Sequence, residues 1–275
     1  MIAISGKEFG LLADYIHKRF GIYLKEDKQN LLKARLDGVL SELNMKSYSD
    51  YFDYLVKDKT GTAAAKLLEK VTTNHTFFMR ETPHFDYLRN EALPYWQRHI
   101  KDGDLRIWSA GCSSGEEPYT LAMLLLEYFA REPVGRWDHK ILATDISNRV
   151  LEAAVRGIYP SESLQSLPSR WQTSYFVKRD AEHAEVSNAL KKEVIFRKFN
   201  LMEASFPFKR KFHMIFCRNV MIYFDNETKS ELIQKFYNHL EPGGFLFIGH
   251  AETISRGTSP LVPVRPSIYR KGGGA

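Results

Sequence analysis

The sequence predicts an α/β protein in which a small all-helical unit precedes a doubly wound, mostly parallel sheet. Three observations carry that expectation. Up to Val71 apolar side chains recur at helical spacing, with no strand-like run among them. From Asp104 onward, apolar runs of strand length alternate with helices, the rhythm of a sheet covered on both faces. Between the two patterns, residues 106–120 read as a buried strand, a tight turn bounded by Gly111 and Gly115, and the start of a helix. Such a junction offers backbone N–H groups to a ligand, and its glycines permit positive φ and close approach.

Composition narrows the function classes. A chain of 275 residues with 44% hydrophobic and 26% charged side chains is an ordinary globular protein. Its formal charge of +6 permits an anionic partner, but Lys and Arg are not interleaved with aromatics, so no nucleic-acid partner is expected. Residues 1–20 place Lys7, Glu8, Asp14, Lys18 and Arg19 among their apolar positions, which argues against a signal peptide. The longest oily stretch, residues 119–130, contains Glu127 and is too short to span a bilayer. Two cysteines make no disulfide framework, so the cytoplasm is the expected location. A monomer is expected.

Taken in order, Phe9, Leu12, Ile16 and Phe20 define a first helix stopped at Gly21. Residues 27–43 form a second, with Leu32, Leu36, Val39 and Leu43 on one face and Lys28, Lys33 and Arg35 off it. Residues 48–56 and 62–71 complete a helical domain over residues 1–72. Residues 73–103 form a linker and junction helix, with the cluster Asn74, Thr76, Phe77, Phe78 and Arg80 followed by a helical run over 84–99 bent or broken at Pro94. A third domain occupies residues 104–271. Its strands are expected at 105–110, 141–145, 194–199, 214–217 and 245–249, and its helices at 117–131, 147–156 and 227–240. Glu241-Pro242-Gly243-Gly244 reads as the stop of the last helix and a turn into the next strand. Residues 159–193 interrupt the rhythm with short helices and a small β-hairpin, an inserted subdomain placed at about 174–197. Residues 261–271 suit an edge strand pair, and 272–275 a disordered tail.

In an open parallel sheet, ligands bind outside the carboxyl ends of the strands, near the point where strand order reverses. The residues at those ends are the Gly111–Gly115 turn with Glu116 and Glu117, then Asp145, Asn200-Leu201, and Cys217-Arg218-Asn219. Asp145 suits a ribose diol, or a cap for the helix that follows it. Asn200 offers a donor and an acceptor to an adenine edge, or serves the turn. The glycine spacing departs from G-x-G-x-x-G, and Glu116 and Glu117 would oppose a pyrophosphate. A ribose-bearing cation fits better, and S-adenosylmethionine is one; Arg80 would then meet its carboxylate.

A competing pattern is G-x-S-x-G at residues 111–115, with Ser113, Asp145 and His250 in the order of a serine hydrolase. Against it, the acid follows the nucleophile too soon, and no His-Gly oxyanion motif lies upstream. Cys112 and Cys217 lack partners at metal-ligand spacing, so no metal is expected. They end strands that neighbour each other in the common order, which suggests thiols close in space.

With these residues in hand, the chain resembles the CheR-type chemotaxis receptor methyltransferases. The resemblance rests on Asn74-x-Thr76-x-x-x-Arg80, on Trp108-Ser109-Ala110 through Gly115-Glu116-Glu117-Pro118-Tyr119, on Ala143-Thr144-Asp145-Ile146, on Asn200-Leu201, and on residues 217–224. It implies a class I, Rossmann-like methyltransferase domain behind a small helical domain. The implied reaction moves a methyl group from S-adenosyl-L-methionine to glutamate side chains of a chemoreceptor's cytoplasmic helical bundle, leaving S-adenosyl-L-homocysteine. Cofactor contacts carry over to Asn74, Thr76, Arg80, Glu117, Asp145, Asn200, Leu201, Arg218 and Asn219; Gly111 joins them from the loop. Arg80 and Tyr223 are implied nearest the transferring methyl, and Lys28, Lys33 and Arg35 acquire an acidic receptor surface as a partner. Family members that tether to a receptor tail use a hairpin with a glycine-rich turn. Residues 178–186 contain no glycine, so tail-independent methylation is expected.

Overall fold

A computed structural model describes residues 2–255 and 257–273. The chain divides into two compact units, residues 1–74 with 223–228, and residues 75–222 with 229–275.

The first unit is helical. Helix α1 (Gly6–Phe20) opens with a reciprocal cap: Ser5 Oγ accepts from the Glu8 N–H while Glu8 Oε2 accepts from the Ser5 N–H. The other Glu8 oxygen accepts from the N–H and hydroxyl of Ser49, which ties α1 to the start of α3. These donors, the Ser5 backbone first, hold the Glu8 carboxyl down at about 2. Phe9, Leu12, Ile16 and Phe20 are buried, as the spacing predicts. Helix α2 (Gln29–Glu42) buries Leu32, Leu36, Val39 and Leu40; Leu43, assigned to that face from sequence, falls outside the helix and is half-buried. Helices α3 (Tyr48–Lys57) and α4 (Thr62–Val71) follow. His17 pairs with Asp225 at 2.8 Å, and the Tyr23 N–H donates to the Tyr223 carbonyl.

The second unit begins with α5 (Thr82–Tyr87), a π-helical turn (Leu88–Ala92) and α6 (Leu93–His99). The Leu93 N–H reaches back to the Leu88 carbonyl, a one-residue excess immediately before Pro94, which has no N–H to give. The predicted irregularity is therefore a π-turn rather than a break. The sheet and its connections then run β1 (Ile107–Ala110), α7 (Glu116–Phe129), β2 (Ile141–Asp145), α8 (Asn148–Arg156), β3 (Ile158–Pro160), α9 (Ser169–Tyr175), β4 (Phe176–Lys178), β5 (His183–Val186), α10 (Asn188–Lys191), β6 (Val194–Lys198), β7 (Phe212–Cys217), α11 (Asn226–His239), β8 (Leu240–Ile248), β9 (Val262–Arg265) and β10 (Ile268–Arg270).

Seven strands form one sheet in the order β6-β2-β1-β7-β8-β10-β9. The five from β6 to β8 are parallel, while β10 and β9 close the edge antiparallel. The chain builds outward from β1 to β2 and β6 and then returns to pair β7 on the opposite side of β1, so strand order reverses between β1 and β7. Trp108 on β1 shows why the sheet is sandwiched. Its ring lies against Phe199, Phe206, Phe208, Phe212 and the α11 residue Phe236, and its Nε1 donates to Thr144 Oγ1 at 2.9 Å. Removing that ring would cost about 3–5 kcal/mol.

Three sequence expectations change here. The inserted sheet has three strands, β3-β5-β4, because Ile158–Pro160 pairs with β5. The strand β6, included in the insertion from sequence, belongs to the main sheet. Residues 241–244 lie within β8, where the pairing with β7 shifts register, rather than in a separate turn. Of the tail, Gly274 and Ala275 lie outside the described residues, while the Gly272 carbonyl accepts from the Gly243 N–H.

Candidate functional site

The carboxyl ends of β1, β2 and β7 gather the chemistry of the second unit. After β1 the chain enters a loop whose first N–H groups, those of Gly111 and Cys112, donate to the Thr144 carbonyl at 2.8 and 2.9 Å. Gly111 sits at φ +85°, and a Cβ there would run into Val220 Cγ2. Gly115 sits at φ +100°, and its Cβ would lie 2.9 Å from both Ala154 Cβ and Tyr159 Oη. Both glycines are thus required by packing against the protein itself, a reason the motif alone did not reveal.

Asp145 ends β2 and accepts from the Ser113 N–H at 2.9 Å and the Ser147 N–H at 3.0 Å. The carboxylate therefore shapes the loop and enters the α8 helix start at once. Burial pushes its pKa up, against those two donors. With Asp145 committed to backbone and His250 packed on the His84 ring at 4.8 Å, the Ser113, Asp145, His250 series is not organised as a hydrolase triad. Asn200 Oδ1 accepts from the Met202 N–H at 3.0 Å, the turn role, and Leu201 is buried beside it.

Arg218 follows β7 and is the centre of the site, with a side chain only 2% exposed. It reaches Glu81 Oε2 at 3.1 Å and Glu117 Oε2 at 3.0 Å, donates to the Arg80 carbonyl, and lies 5.2 Å from the centroid of the Phe85 ring. Glu117 is oriented from its other oxygen by Ser109 Oγ at 2.7 Å. Asn219, at φ +59°, donates its side-chain amide to Glu81 Oε1 and its N–H to Glu252 Oε2 at 3.0 Å. Glu252, buried, also accepts from the N–H groups of Gly249 and Ile222, so one carboxylate fastens the end of β8 to the loop after β7. Burial raises its pKa despite these donors.

Arg80 is half-buried; its Nη1 donates to the His75 carbonyl at 2.7 Å and its guanidinium lies 5.8 Å from the Phe77 ring centroid. Thr76, half-buried, lies in the same segment. Glu81, His84 and His250 also converge, with potential ligand atoms within 4.8 Å of one another. Both Glu81 oxygens already accept hydrogen bonds, and a guanidinium lies against one of them, an environment that opposes a cation there. His84 is fully buried and held neutral, its pKa lowered to about 3 chiefly by burial and then by Arg218.

Glu116 and Glu117 are not the bare carboxylates their position at a helix N-terminus suggests. Glu117 is paired with Arg218, and Glu116, 8% exposed, accepts from Ser114 Oγ at 2.7 Å, with burial raising its pKa. The balance of charge still favours a cation. Among the described residues, Glu81, Glu116, Glu117, Asp145 and Glu252 stand against two guanidiniums, Arg80 and Arg218, around one sheet end. Carboxylate acceptors beside a strand reversal fit a molecule with hydroxyls and net positive charge, and S-adenosyl-L-methionine meets that description.

Two predicted positions belong to the first unit. Asn74 is half-buried there, and Tyr223 donates its hydroxyl to the Thr73 carbonyl at 3.1 Å. In that unit Lys33 is paired with Asp37 at 2.6 Å, and Arg35 binds the Val71 carbonyl and Thr73 Oγ1, closing the end of α4. Lys28, exposed and 3.3 Å from Asp27, is the least committed of the three basic residues. Cys112 and Cys217 are both free and buried, and burial raises both thiols well above their ordinary range. Among the described residues no helix is long and apolar enough to cross a membrane. Sequence patterns missed Glu81, His84 and Glu252 as site residues; the one available signal was their adjacency to Arg80 and His250.

Comparison with known proteins covers nearly the whole chain. Residues 7–72 match the family described as "CheR methyltransferase, all-alpha domain", and residues 74–266 match "CheR methyltransferase, SAM binding domain". A chemotaxis protein methyltransferase of Borreliella burgdorferi is 43% identical over 98% of this chain and 96% of its own length. The chemotaxis protein methyltransferase of Escherichia coli is 35% identical over 92% of this chain and 87% of its own. Chemotaxis protein methyltransferase 2 of Pseudomonas aeruginosa is 35% identical over 96% and 92%.

Proposed function

Because the chain belongs to the CheR methyltransferase family, we propose that it methylates glutamate side chains of chemoreceptor cytoplasmic helices, giving glutamyl methyl esters. Its cofactor is S-adenosyl-L-methionine. The observation that carries the proposal is the excess of carboxylate over guanidinium at the strand reversal, combined with an Arg80 that pairs with no carboxylate among the described residues.

When bound, S-adenosyl-L-methionine supplies an electrophilic methyl group on a sulfonium. A glutamate carboxylate is ionised at neutral pH, so the protein need provide no general base. What it must provide is alignment and exclusion of water, worth up to about 7–11 kcal/mol in favourable cases. We assign Arg80 and Tyr223 to that task. Arg80 has a charge to orient the incoming carboxylate, while binding that anion too tightly in the ground state would slow the step. Asp145 and Asn200 are assigned to the ribose and adenine, and Arg80, Gly111, Glu117, Asn74, Thr76, Leu201, Arg218 and Asn219 to the rest of the cofactor. Lys28 leads Lys33 and Arg35 in steering an acidic receptor surface, since the latter two are engaged within their own domain.

Methylation is proposed to be independent of a receptor tail. The β4–β5 turn is closed on Asp180, whose Oδ1 accepts from the N–H groups of Glu182 and His183 at 2.8 and 2.7 Å, with no glycine to open it. The test is transfer of labelled methyl from S-adenosyl-L-methionine to receptor-containing membranes. Alkali-labile label is expected. No label, with S-adenosyl-L-homocysteine still bound in calorimetry, would move the enzyme to a different substrate.

A further inference from the structure

Glu81 lies outside every motif that assigns a role in this chain, yet its two oxygens join Arg218, Asn219 and the His250 backbone. It stands just before α5 at φ +59°, and Met79 stands at φ +60°, so Arg80 is flanked by two non-glycine residues in the left-handed region. That backbone is strained and persists only where its surroundings impose it. The surroundings here are specific. Glu81 Oε2 accepts from Arg218 Nε at 3.2 Å and Nη2 at 3.1 Å; Oε1 accepts from Asn219 Nδ2 at 3.3 Å and the His250 N–H at 3.0 Å. The same Arg218 Nη2 donates to the Arg80 carbonyl.

We infer that Glu81 is a positioning residue for methyl transfer, acting through Arg80. It fixes Arg218 against the Arg80 backbone and so sets where the Arg80 side chain starts. Arg218 and Asn219 each have a second anchor, Glu117 at 3.0 Å and Glu252 at 3.0 Å. Among the described residues, the turn at Arg80 has no second carboxylate anchor of that kind. Loss of Glu81 should therefore disturb Arg80 more than the other residues assigned to the cofactor. Glutamine is the informative replacement. Four donors face the two oxygens, with His84 Nδ1 also 3.4 Å from Oε2, so an amide placed either way sets its NH2 against two of those donors. Shape is conserved, but the four-point clamp cannot be satisfied.

The inference rests on the proposed role of Arg80 in glutamate methylation, and the test separates the two. Wild type, E81Q, R80A and the double variant are compared in single-turnover transfer to receptor-containing membranes, with S-adenosyl-L-homocysteine calorimetry and thermal unfolding on each. The expected result for E81Q is a rate loss of up to about 100-fold, with cofactor-product affinity changed less than about threefold. In the R80A background the same substitution should change the rate less than about twofold, because its route of action is gone. Should E81Q not fold, E81D, which keeps both oxygens one methylene short, is read by the same criteria. Additive losses in the double variant, or loss of affinity in step with rate, would overturn the role of Glu81. A wild type that does not label receptor, or an R80A with the wild-type rate, would instead overturn the reading on which it rests.

Discussion

Replacing Arg218 with methionine should be among the most damaging single changes in the sheet domain, and its size follows from what surrounds the guanidinium. The side chain is 2% exposed, and its partners Glu81 and Glu117 are 12% and 13% exposed. Deleting one partner of a buried ion pair leaves an uncompensated charge and costs about 3–5 kcal/mol. The Arg80 carbonyl also loses its donor. Against a typical domain stability of about 5–15 kcal/mol, the variant should sit near the edge of folding. The loss also depends on pH. Burial pushes the Glu81 carboxyl up, but the His250 N–H, Arg218 and Asn219 together hold it below its ordinary value. A carboxylate so lowered contributes stability above its unfolded pKa, about 4.3, and loses it as pH falls through the folded value. R218M removes the Arg218 share of that contribution, so its deficit should be largest near neutrality and shrink below about pH 4. Urea unfolding followed by tryptophan fluorescence is the suitable assay, because Trp96, Trp108, Trp137 and Trp171 all lie in this domain. A deficit under about 1 kcal/mol at neutral pH, the range of exposed pairs, would refute the claim that the bridge is desolvated.

Three further outcomes follow from the same geometry. Asp145→Asn exchanges an acceptor carboxylate for an amide at the end of β2, and S-adenosyl-L-homocysteine should bind about tenfold more weakly by calorimetry, or about 1.4 kcal/mol; unchanged affinity would remove Asp145 from the cofactor site. His213, buried and lowered to about 3 by burial and then by Arg106, stays neutral when folded, so stability present above about pH 6.5 falls as the pH drops toward 3. His213→Asn, which keeps an acceptor for the Arg106 N–H, should flatten that slope by about 1.36 kcal/mol per pH unit in acid-titrated unfolding. Lys28→Glu should slow receptor methylation at low salt and have less effect at high salt, since a steering charge is screened.

The fold was legible where burial forces periodicity. The strands at Ile141–Asp145 and Phe212–Cys217 are apolar runs enclosed on both faces, and α1 shows its buried residues at helical spacing. Where pairing is short or irregular, periodicity has nothing to act on. Ile158–Pro160 is three residues long and becomes a strand only because β5 lies beside it, and residues 241–244 extend β8 through a register shift that glycine and proline made look like a turn. The site divides in the same way. Strand-end residues such as Asp145 and Arg218 are found by topology, since a parallel sheet sends its ligands to its carboxyl edge. Glu81 holds Arg218 and Asn219, and Glu252 holds Asn219 and Ile222, from far away in the chain, and no local pattern marks a carboxylate whose function is to accept backbone and side-chain donors from other elements.

Charge at the cofactor end shows how a correct inference can rest on an incomplete picture. In sequence, Glu116 and Glu117 read as unpaired negative charge at a helix N-terminus, unfavourable to pyrophosphate. In the structure, Glu117 is neutralised by Arg218, and Glu116 is buried beneath Ser114. Neither alone would repel an anion strongly. The preference for a cation survives because Arg218 is shared between Glu81 and Glu117, so one positive charge answers two negative ones. Asp145 and Glu252 add carboxylates held mainly by backbone N–H groups, which carry no formal charge. A network that satisfies its hydrogen bonds while leaving its charge unbalanced is stable without ligand and still attractive to a sulfonium. It also places the guanidinium of Arg80, which pairs with no carboxylate among the described residues, on a turn fixed by the same network. Attraction for the cationic methyl donor and orientation of the anionic acceptor thus come from a single set of side chains, and altering Glu81 should separate the two.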